Sequence, residues 1–300
     1  MTGPAPAPGF HPARGWLNDP HGITYRPEEG RYHLFFQHLR DSLTWRPDLS
    51  WGHAVSPDLE HWTELPPVLA PDAEDAGCWS GCLVDGRIFY TAVAGGPARH
   101  GLGRIRAAVP CDEAWSAWRK VDVELRPPAG LLVFRDPFVL REGAGWRMLV
   151  GAGLPGEVAA VVTFTSEDLT AWDYDGVLAE RSSAERAGVW TGSAWECPQL
   201  VEVDGRWALL VSVWHDHETR HLAYAFGTRD GGRFDAGPWR RLAEGAPYAA
   251  STFTDARGRL TVMCWLRGHA DPGGRWAGAL SVPQLIARRG EELVLEPWSA

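Results

Sequence analysis

Apolar residues along the chain come in short alternating runs broken by Gly, Pro, Asp and Asn, with no extended stretch at the helical period of about 3.6 residues. This pattern predicts an all-β chain with scarce helix. One unit recurs: a strand, a Gly-containing turn and a second, more apolar strand. The unit first appears as Gly22-Ile23-Thr24-Tyr25, a turn at Glu28 to Gly30, and Tyr32-His33-Leu34-Phe35-Phe36. It returns as Cys82 to Val84 with Ile88 to Val93, Pro137 to Leu140 with Trp146 to Val150, Gln199 to Val203 with Trp207 to Val213, and Ser251 to Phe253 with Leu260 to Trp265. Counted at Gly22, Gly81, Asp136, Cys197 and Ser251, the steps are 59, 55, 61 and 54 residues. A second element, Ser56-Pro57-Asp58-Leu59-Glu60-His61-Trp62 and again Ser166-Glu167-Asp168-Leu169-Thr170-Ala171-Trp172, reads as the turn and edge strand that close a four-stranded sheet. Repeated four-stranded antiparallel units predict a five-bladed β-propeller in preference to a two-sheet sandwich. No Pro/Ser-rich linker divides the chain, so residues 1–300 are expected to form a single domain, with 1–10 a flexible N-terminal segment.

Charge and composition narrow the function. With 29 Lys+Arg against 38 Asp+Glu and a formal charge of −9, neither a nucleic acid nor an anionic membrane is favoured as a partner. No stretch approaches the roughly 18 apolar residues of a membrane span, and Met1 to Phe10 lacks the basic-then-apolar order of a signal peptide. The five cysteines show no metal-ligand spacing, and their odd number fits a reducing compartment, so a cytoplasmic location and no zinc site are expected. Seventeen Trp provide flat apolar rings with one N–H donor each, suited to sugar faces as well as to a core.

Three carboxylates sit at one phase of the repeat, each before a proline or one residue removed from it: Asn18-Asp19-Pro20, Arg135-Asp136-Pro137 and Glu196-Cys197-Pro198. Proline restricts itself and biases its predecessor toward extended backbone. Equal phase in a propeller means equal height around one axis, so the three should meet at one mouth of the central channel among Trp16, Phe134 and Trp195. Like charges crowded into a partly dry aromatic funnel drive one of them toward its protonated form. That arrangement suits a glycosidase. Carboxyl groups about 5–5.5 Å apart serve a covalent, retaining route, and a gap of about 6.5–9.5 Å admits water and inverts. Spacing in the sequence does not choose between these routes.

These residues resemble glycoside hydrolase family 32, the invertases, levanases, inulinases and related β-fructosidases. The resemblance is carried by His11-Pro12 with Trp16-Leu17-Asn18-Asp19-Pro20-His21-Gly22, Phe134-Arg135-Asp136-Pro137-Phe138 and Trp195-Glu196-Cys197-Pro198. Tyr32 to Gln37, Trp51 to Ser56 and Cys78-Trp79-Ser80-Gly81 extend it, and it covers the chain from about residue 11 to its end. The resemblance implies a retaining hydrolase of terminal β-fructofuranosyl units, with Asp19 as nucleophile, Glu196 as acid/base and Asp136 as transition-state stabiliser. It implies Asn18, Gln37, Trp45, Trp79, Ser80 and Arg135 as substrate-binding residues, a small carbohydrate as substrate, and no metal or cofactor. Fructosyl transfer shares the same intermediate, and a non-catalytic fructoside-binding propeller or an inverting arabinosidase-type enzyme are the competing readings.

The chain also departs from the family pattern. His21 stands where a second Asn is usual, Cys82 where Ser is common, Tyr248-Ala249-Ala250-Ser251 in place of a Tyr-Ala-Pro-Gln stretch, and Gln284 where Arg is usual. His215, His217 and His221 read as solvated or core residues. Most members continue into a C-terminal β-sandwich, which the 300 residues do not contain. Apolar surface left by its absence would invite self-association, leaving a homo-oligomer open.

Overall fold

The computed structural model describes residues 6–95 and 101–299, and among these there is no helix. The chain runs as successive antiparallel meanders. The first is β1 (Gly15–Arg26), β2 (Arg31–Leu39), β3 (Ser50–Ser56) and β4 (Thr63–Leu69). The second is β5 (Gly77–Val84), β6 (Arg87–Val93), β7 (Arg104–Pro110) and β8 (Trp118–Leu125). The third is β9 (Val133–Glu142), β10 (Gly145–Leu154), β11 (Val158–Ser166) and β12 (Asp173–Ser182). The fourth is β13 (Ala194–Val203), β14 (Arg206–His215) and β15 (Glu218–Asp230), edged by β16 (Arg233–Ala236) and β17 (Arg240–Arg241). The last is β18 (Pro247–Thr254), β19 (Leu260–Ala270), β20 (Trp276–Leu280), β21 (Gln284–Arg289) and β22 (Glu292–Pro297). It joins the first meander in one nine-stranded sheet through a short parallel pairing of β20 with β1, Gly15 opposite Trp276 and Trp16 opposite Ala277. The strand pairs expected from the repeat are all present as hairpins.

The inner strands read as continuous apolar runs because both of their faces are buried. Along β14, Leu209, Val211 and Val213 face a core shared with the third meander, while Ala208 and Leu210 face one shared with the last. Along β6, Phe89 packs toward the third meander and Ile88, Tyr90 and Ala92 toward the first. Leu17, Leu34 and Phe36 of the first meander meet Tyr248, Met263 and Leu280 of the last. Each sheet is thus sandwiched between two neighbours. The first strands lie side by side in the order β1, β5, β9, β13, β18 and back to β1.

The two Ser-to-Trp elements form the β3–β4 and β11–β12 turns. Asp58 Oδ1 accepts from the Glu60 and His61 N–H groups at 3.0 and 2.8 Å, and Asp168 Oδ1 accepts from Thr170 and Ala171 at 2.8 and 3.1 Å. Leu59 and Leu169 take left-handed φ values of 62° and 65°. A third copy joins β7 to β8: Trp115 has φ 56°, and the Trp118 indole donates to the Trp115 carbonyl at 3.1 Å, as Trp62 donates to Leu59 at 3.1 Å. Its motif is masked in the sequence because Trp115 replaces the leucine and the capping Asp112 lies two residues further back.

Of the segment 1–10 expected to be flexible, residues 1–5 lie outside the described residues and 7–10 are paired with the last meander. Ala7 and Phe10 accept backbone hydrogen bonds from Val282 and Leu280 at 2.9 and 2.7 Å, and Gly9 donates to Leu280 at 2.8 Å. The buried Phe10 ring packs on Phe36 and Trp62, with centroids 5.0 and 5.8 Å away. Burying that ring and pairing the adjacent backbone offset the cost of ordering a Pro-rich segment.

Candidate active site

Every first strand breaks register at one height. The shifts fall between Leu17 and Pro20 on β1, Trp79 and Gly81 on β5, Glu196 and Gln199 on β13, and Tyr248 and Ser251 on β18; on β9 the pairing skips between Arg135 and Phe138. A bulge re-aims side chains. Three of these bulges hold a non-glycine residue in the left-handed region, Asp136 at φ 63°, Cys197 at 45° and Ala249 at 49°. Such geometry costs on the order of 1 kcal/mol per residue, and it is sustained here by packed neighbours on both sides. One close approach depends on glycine: a Cβ on Gly151 would meet the Trp195 carbonyl at 2.3 Å and the Arg135 carbonyl at 3.1 Å. Gly151 lets β9 and β13, which carry Asp136 and Glu196, come together.

The bulges point into a cavity of about 1080 Å³. Asp19, Asp136 and Glu196 all line it, as do the six other residues expected to bind substrate: Asn18, Gln37, Trp45, Trp79, Ser80 and Arg135. The Ser80 hydroxyl donates to Asp19 Oδ2 at 2.6 Å. Arg135 pairs with Glu196 Oε1 at 2.9 Å, and the Tyr248 hydroxyl bonds to Glu196 Oε2. Asp136 Oδ2 accepts from the Cys197 N–H at 3.2 Å. The Cys197 thiol lies 3.8 Å from Asp19 Oδ2 and 3.7 Å from Asp136 Oδ2, so strands β1, β9 and β13 meet at one point. Trp16 donates to Asn18 Oδ1 at 2.9 Å, and Gln37 donates to the Cys78 carbonyl at 3.1 Å while its buried Oε1 has no protein partner. That orphan acceptor fits a ligand hydroxyl.

Burial and crowding set the protonation states. Burial pushes the Asp136 carboxyl up to about 8, reinforced by the charge of Glu196 and offset in part by Arg135. Burial also raises Glu196, while Arg135 and the Tyr248 hydroxyl pull it back and Asp19 pushes it up. With one cation among three carboxylates, the cluster retains a proton near neutral pH, as the crowding argument predicted.

Sequence reasoning missed part of this wall. Thr91, fully buried on β6, accepts from the Asp136 N–H at 2.7 Å and donates to the Ser80 carbonyl at 2.9 Å, tying two site-bearing strands together. Trp16, Trp214 and Trp265 add indole rings to the lining. His217, expected to be solvated or core, stands on the cavity wall with Glu218 and Thr219, because the β14–β15 turn folds over the mouth. Tyr248 lies in a stretch that departs from the family pattern, yet its hydroxyl reaches Glu196. By contrast His21 turns away: it is buried against Trp51 with ring centroids 4.6 Å apart, and burial lowers its pKa to about 3.

An all-β scaffold that gathers three carboxylates, one arginine and a belt of tryptophans in one cavity has the groups that glycoside hydrolysis needs. The family description "Glycosyl hydrolases family 32 N-terminal domain" matches residues 9–297, and the chain belongs to this family. It is 31% identical over 314 residues to the sucrose-6-phosphate hydrolase of Escherichia coli, covering 97% of this chain and 64% of that protein. It is 30% identical over 317 residues to the raffinose invertase of Escherichia coli, again covering 97% of this chain and 64% of the relative. Among solved structures, the family 32 β-fructofuranosidase of Bombyx mori superposes with a TM-score of 0.84 at 26% identity, over 98% of this chain and 65% of that one. The chain therefore spans somewhat under two thirds of the length of these relatives.

Proposed function

We propose that the chain is the catalytic unit of a retaining β-fructosidase, built as a five-bladed propeller from the five meanders whose first strands form a closed ring. The substrates are sucrose or fructo-oligosaccharides with a terminal β-D-fructofuranosyl group. The observation that carries this reading is the meeting of Asp19, Asp136 and Glu196 in one cavity, each with a different set of donors.

Asp19 attacks the anomeric carbon of the fructosyl unit. The Ser80 hydroxyl occupies its Oδ2, which leaves Oδ1 to form the ester. Glu196, held above the usual carboxylate range by burial, donates its proton to the departing oxygen and then takes one from the attacking water. With substrate bound the proton retained by the cluster sits on Glu196, and the Asp136 carboxylate accepts hydrogen bonds from two ring hydroxyls as positive charge develops on the ring. Asn18, Gln37 and Arg135 complete the polar contacts, and Trp45 and Trp79, edge-to-face at 5.6 Å, wall the sugar.

The test is a panel of sucrose, raffinose, inulin and levan oligosaccharides with chromatography of the products and NMR of the first anomer released. Release of β-fructose with net retention is expected, and Glu196→Ala given β-fructosyl fluoride, whose leaving group needs no protonation, should accumulate a fructosyl ester on Asp19 that mass spectrometry detects. Initial inversion, or no fructose from any of the panel, overturns the reading.

A further inference from the structure

Arg267, on β19, lies behind the cavity wall and touches none of the three carboxylates. All three of its guanidinium nitrogens are engaged. Nη1 donates to the Thr219 carbonyl at 2.7 Å and to the Thr219 hydroxyl at 2.9 Å. Nη2 donates to the Arg220 carbonyl at 2.9 Å, and Nε donates to the Ala246 carbonyl at 3.2 Å. Its planar face lies 5.0 Å from the centre of the Tyr248 ring. One side chain therefore binds two structures at once: the β14–β15 hairpin that carries Trp214, His217, Glu218 and Thr219 to the cavity rim, and the tyrosine whose hydroxyl bonds to Glu196.

Both attachments need such a tie. At the hairpin tip, Asp216 and His217 sit at φ 52° and 59°, consecutive left-handed residues without a glycine. A two-residue turn of this kind favours Asn-Gly or Asp-Gly, so the hairpin is held by tertiary contacts more than by its own turn residues. The Tyr248 hydroxyl has one proton and two acceptors within reach, Glu196 Oε2 and the Val213 carbonyl at 3.2 Å. A cation over the ring face draws electron density from the phenol and makes its hydroxyl a better donor to the carboxylate.

We propose that Arg267 is a positioning residue for the acid/base: it aims and polarises Tyr248 toward Glu196 and at the same time anchors the rim hairpin. The proposal rests on Glu196 being the acid/base. The groups facing Glu196 are Arg135 and Asp136 from β9, Asp19 from β1, Cys197 beside it on β13 and Tyr248 from β18. Arg267 acts on this set only through Tyr248, because it lies beyond that ring.

The experiment compares the pH dependence of kcat/KM on sucrose for the parent chain, Arg267→Met, Tyr248→Phe and the double variant. Glu196 must be protonated to act, so its ionisation is the alkaline limb. Arg267→Met should move that limb up by about half a unit and lower kcat about three- to tenfold. Tyr248→Phe should move the limb up at least as far, and adding Arg267→Met to it should move the limb no further. Arg267→Lys, which keeps the cation, should hold the limb near the parent position and raise KM about threefold as the hairpin loosens. A limb that stays in place in Tyr248→Phe overturns the proposal even where Arg267→Met does not fold, and so does additivity in the double variant. Glu196→Ala separates the two claims: if it keeps the alkaline limb, the acid/base assignment fails, and if it loses the limb while Arg267→Met leaves it unmoved, only the role of Arg267 fails.

Discussion

Two buried aspartates in this protein meet opposite fates. Asp75, fully buried two residues before β5, is surrounded by the Tyr90 hydroxyl at 2.7 Å, Lys120 at 3.0 Å, Arg106 at 3.1 Å and Arg104 at 3.2 Å. Burial pushes its carboxyl up, but Tyr90, Lys120 and Arg106 together pull it below the ordinary range. Asp136 is also buried and lies deeper among protein atoms, and it shares a single arginine with two other carboxylates, so its pKa rises to about 8. Burial is common to both sites; the supply of donors and cations differs. A buried acid with surplus partners supports structure, and one with too few is available for chemistry.

The largest expected effect tests the functional half of the contrast. Asp19→Ala should cut turnover by about 10⁴-fold while leaving the melting temperature unchanged or higher, since one of three crowded carboxyl groups is gone. A steep fall in melting temperature with modest loss of turnover would reverse the assignment of the two regions. Next in size, Asp75→Asn should cost about 3–5 kcal/mol in chemical denaturation, because three cations lose their shared partner, with the activity of the folded fraction retained.

The third prediction distinguishes the sites by pH. Asp136 binds its proton more tightly folded than unfolded, so its contribution is complete below about pH 4 and is lost as pH rises toward 8. Asp136→Asn should therefore stabilise the protein by about 1–2 kcal/mol at pH 8, with little change at pH 4, and abolish activity throughout. Asp75 has the opposite sign: its contribution is present above about pH 4 and is lost on acidification. Denaturation curves at the two pH values read both slopes. The smallest effect concerns a buried group with no charged partner. His21 is held neutral to about pH 3, so its contribution is present above about pH 6.5 and is lost as the pH falls below that; His21→Gln should recover about 1 kcal/mol at pH 5.

The first strands were legible because their turns carry glycine or aspartate and their flanks run apolar, and the three carboxylates stood out by recurring at one phase of the repeat. Tyr248 could not be found that way. Its role depends on a contact with Glu196, 52 residues earlier, and its local stretch departs from the pattern around it. Thr91 was equally silent: a threonine inside an apolar run is ordinary until β5 and β9 are placed against it. The β7–β8 turn repeats a geometry seen twice elsewhere without repeating its letters, since φ at Trp115 is selected by packing and by the Asp112 cap.

The amino-acid sequence alone determined the five repeated hairpins, most of their turns and the shared phase of the three acids, because these follow from local periodicity and turn chemistry repeated along the chain. Only the tertiary structure decided which acids are pushed toward their protonated forms, that Tyr248 bonds to Glu196 with Arg267 behind its ring, and that His21 belongs to the core. Those outcomes depend on desolvation and on charges brought within a few ångströms from distant segments, and neither exists until the sheets have packed.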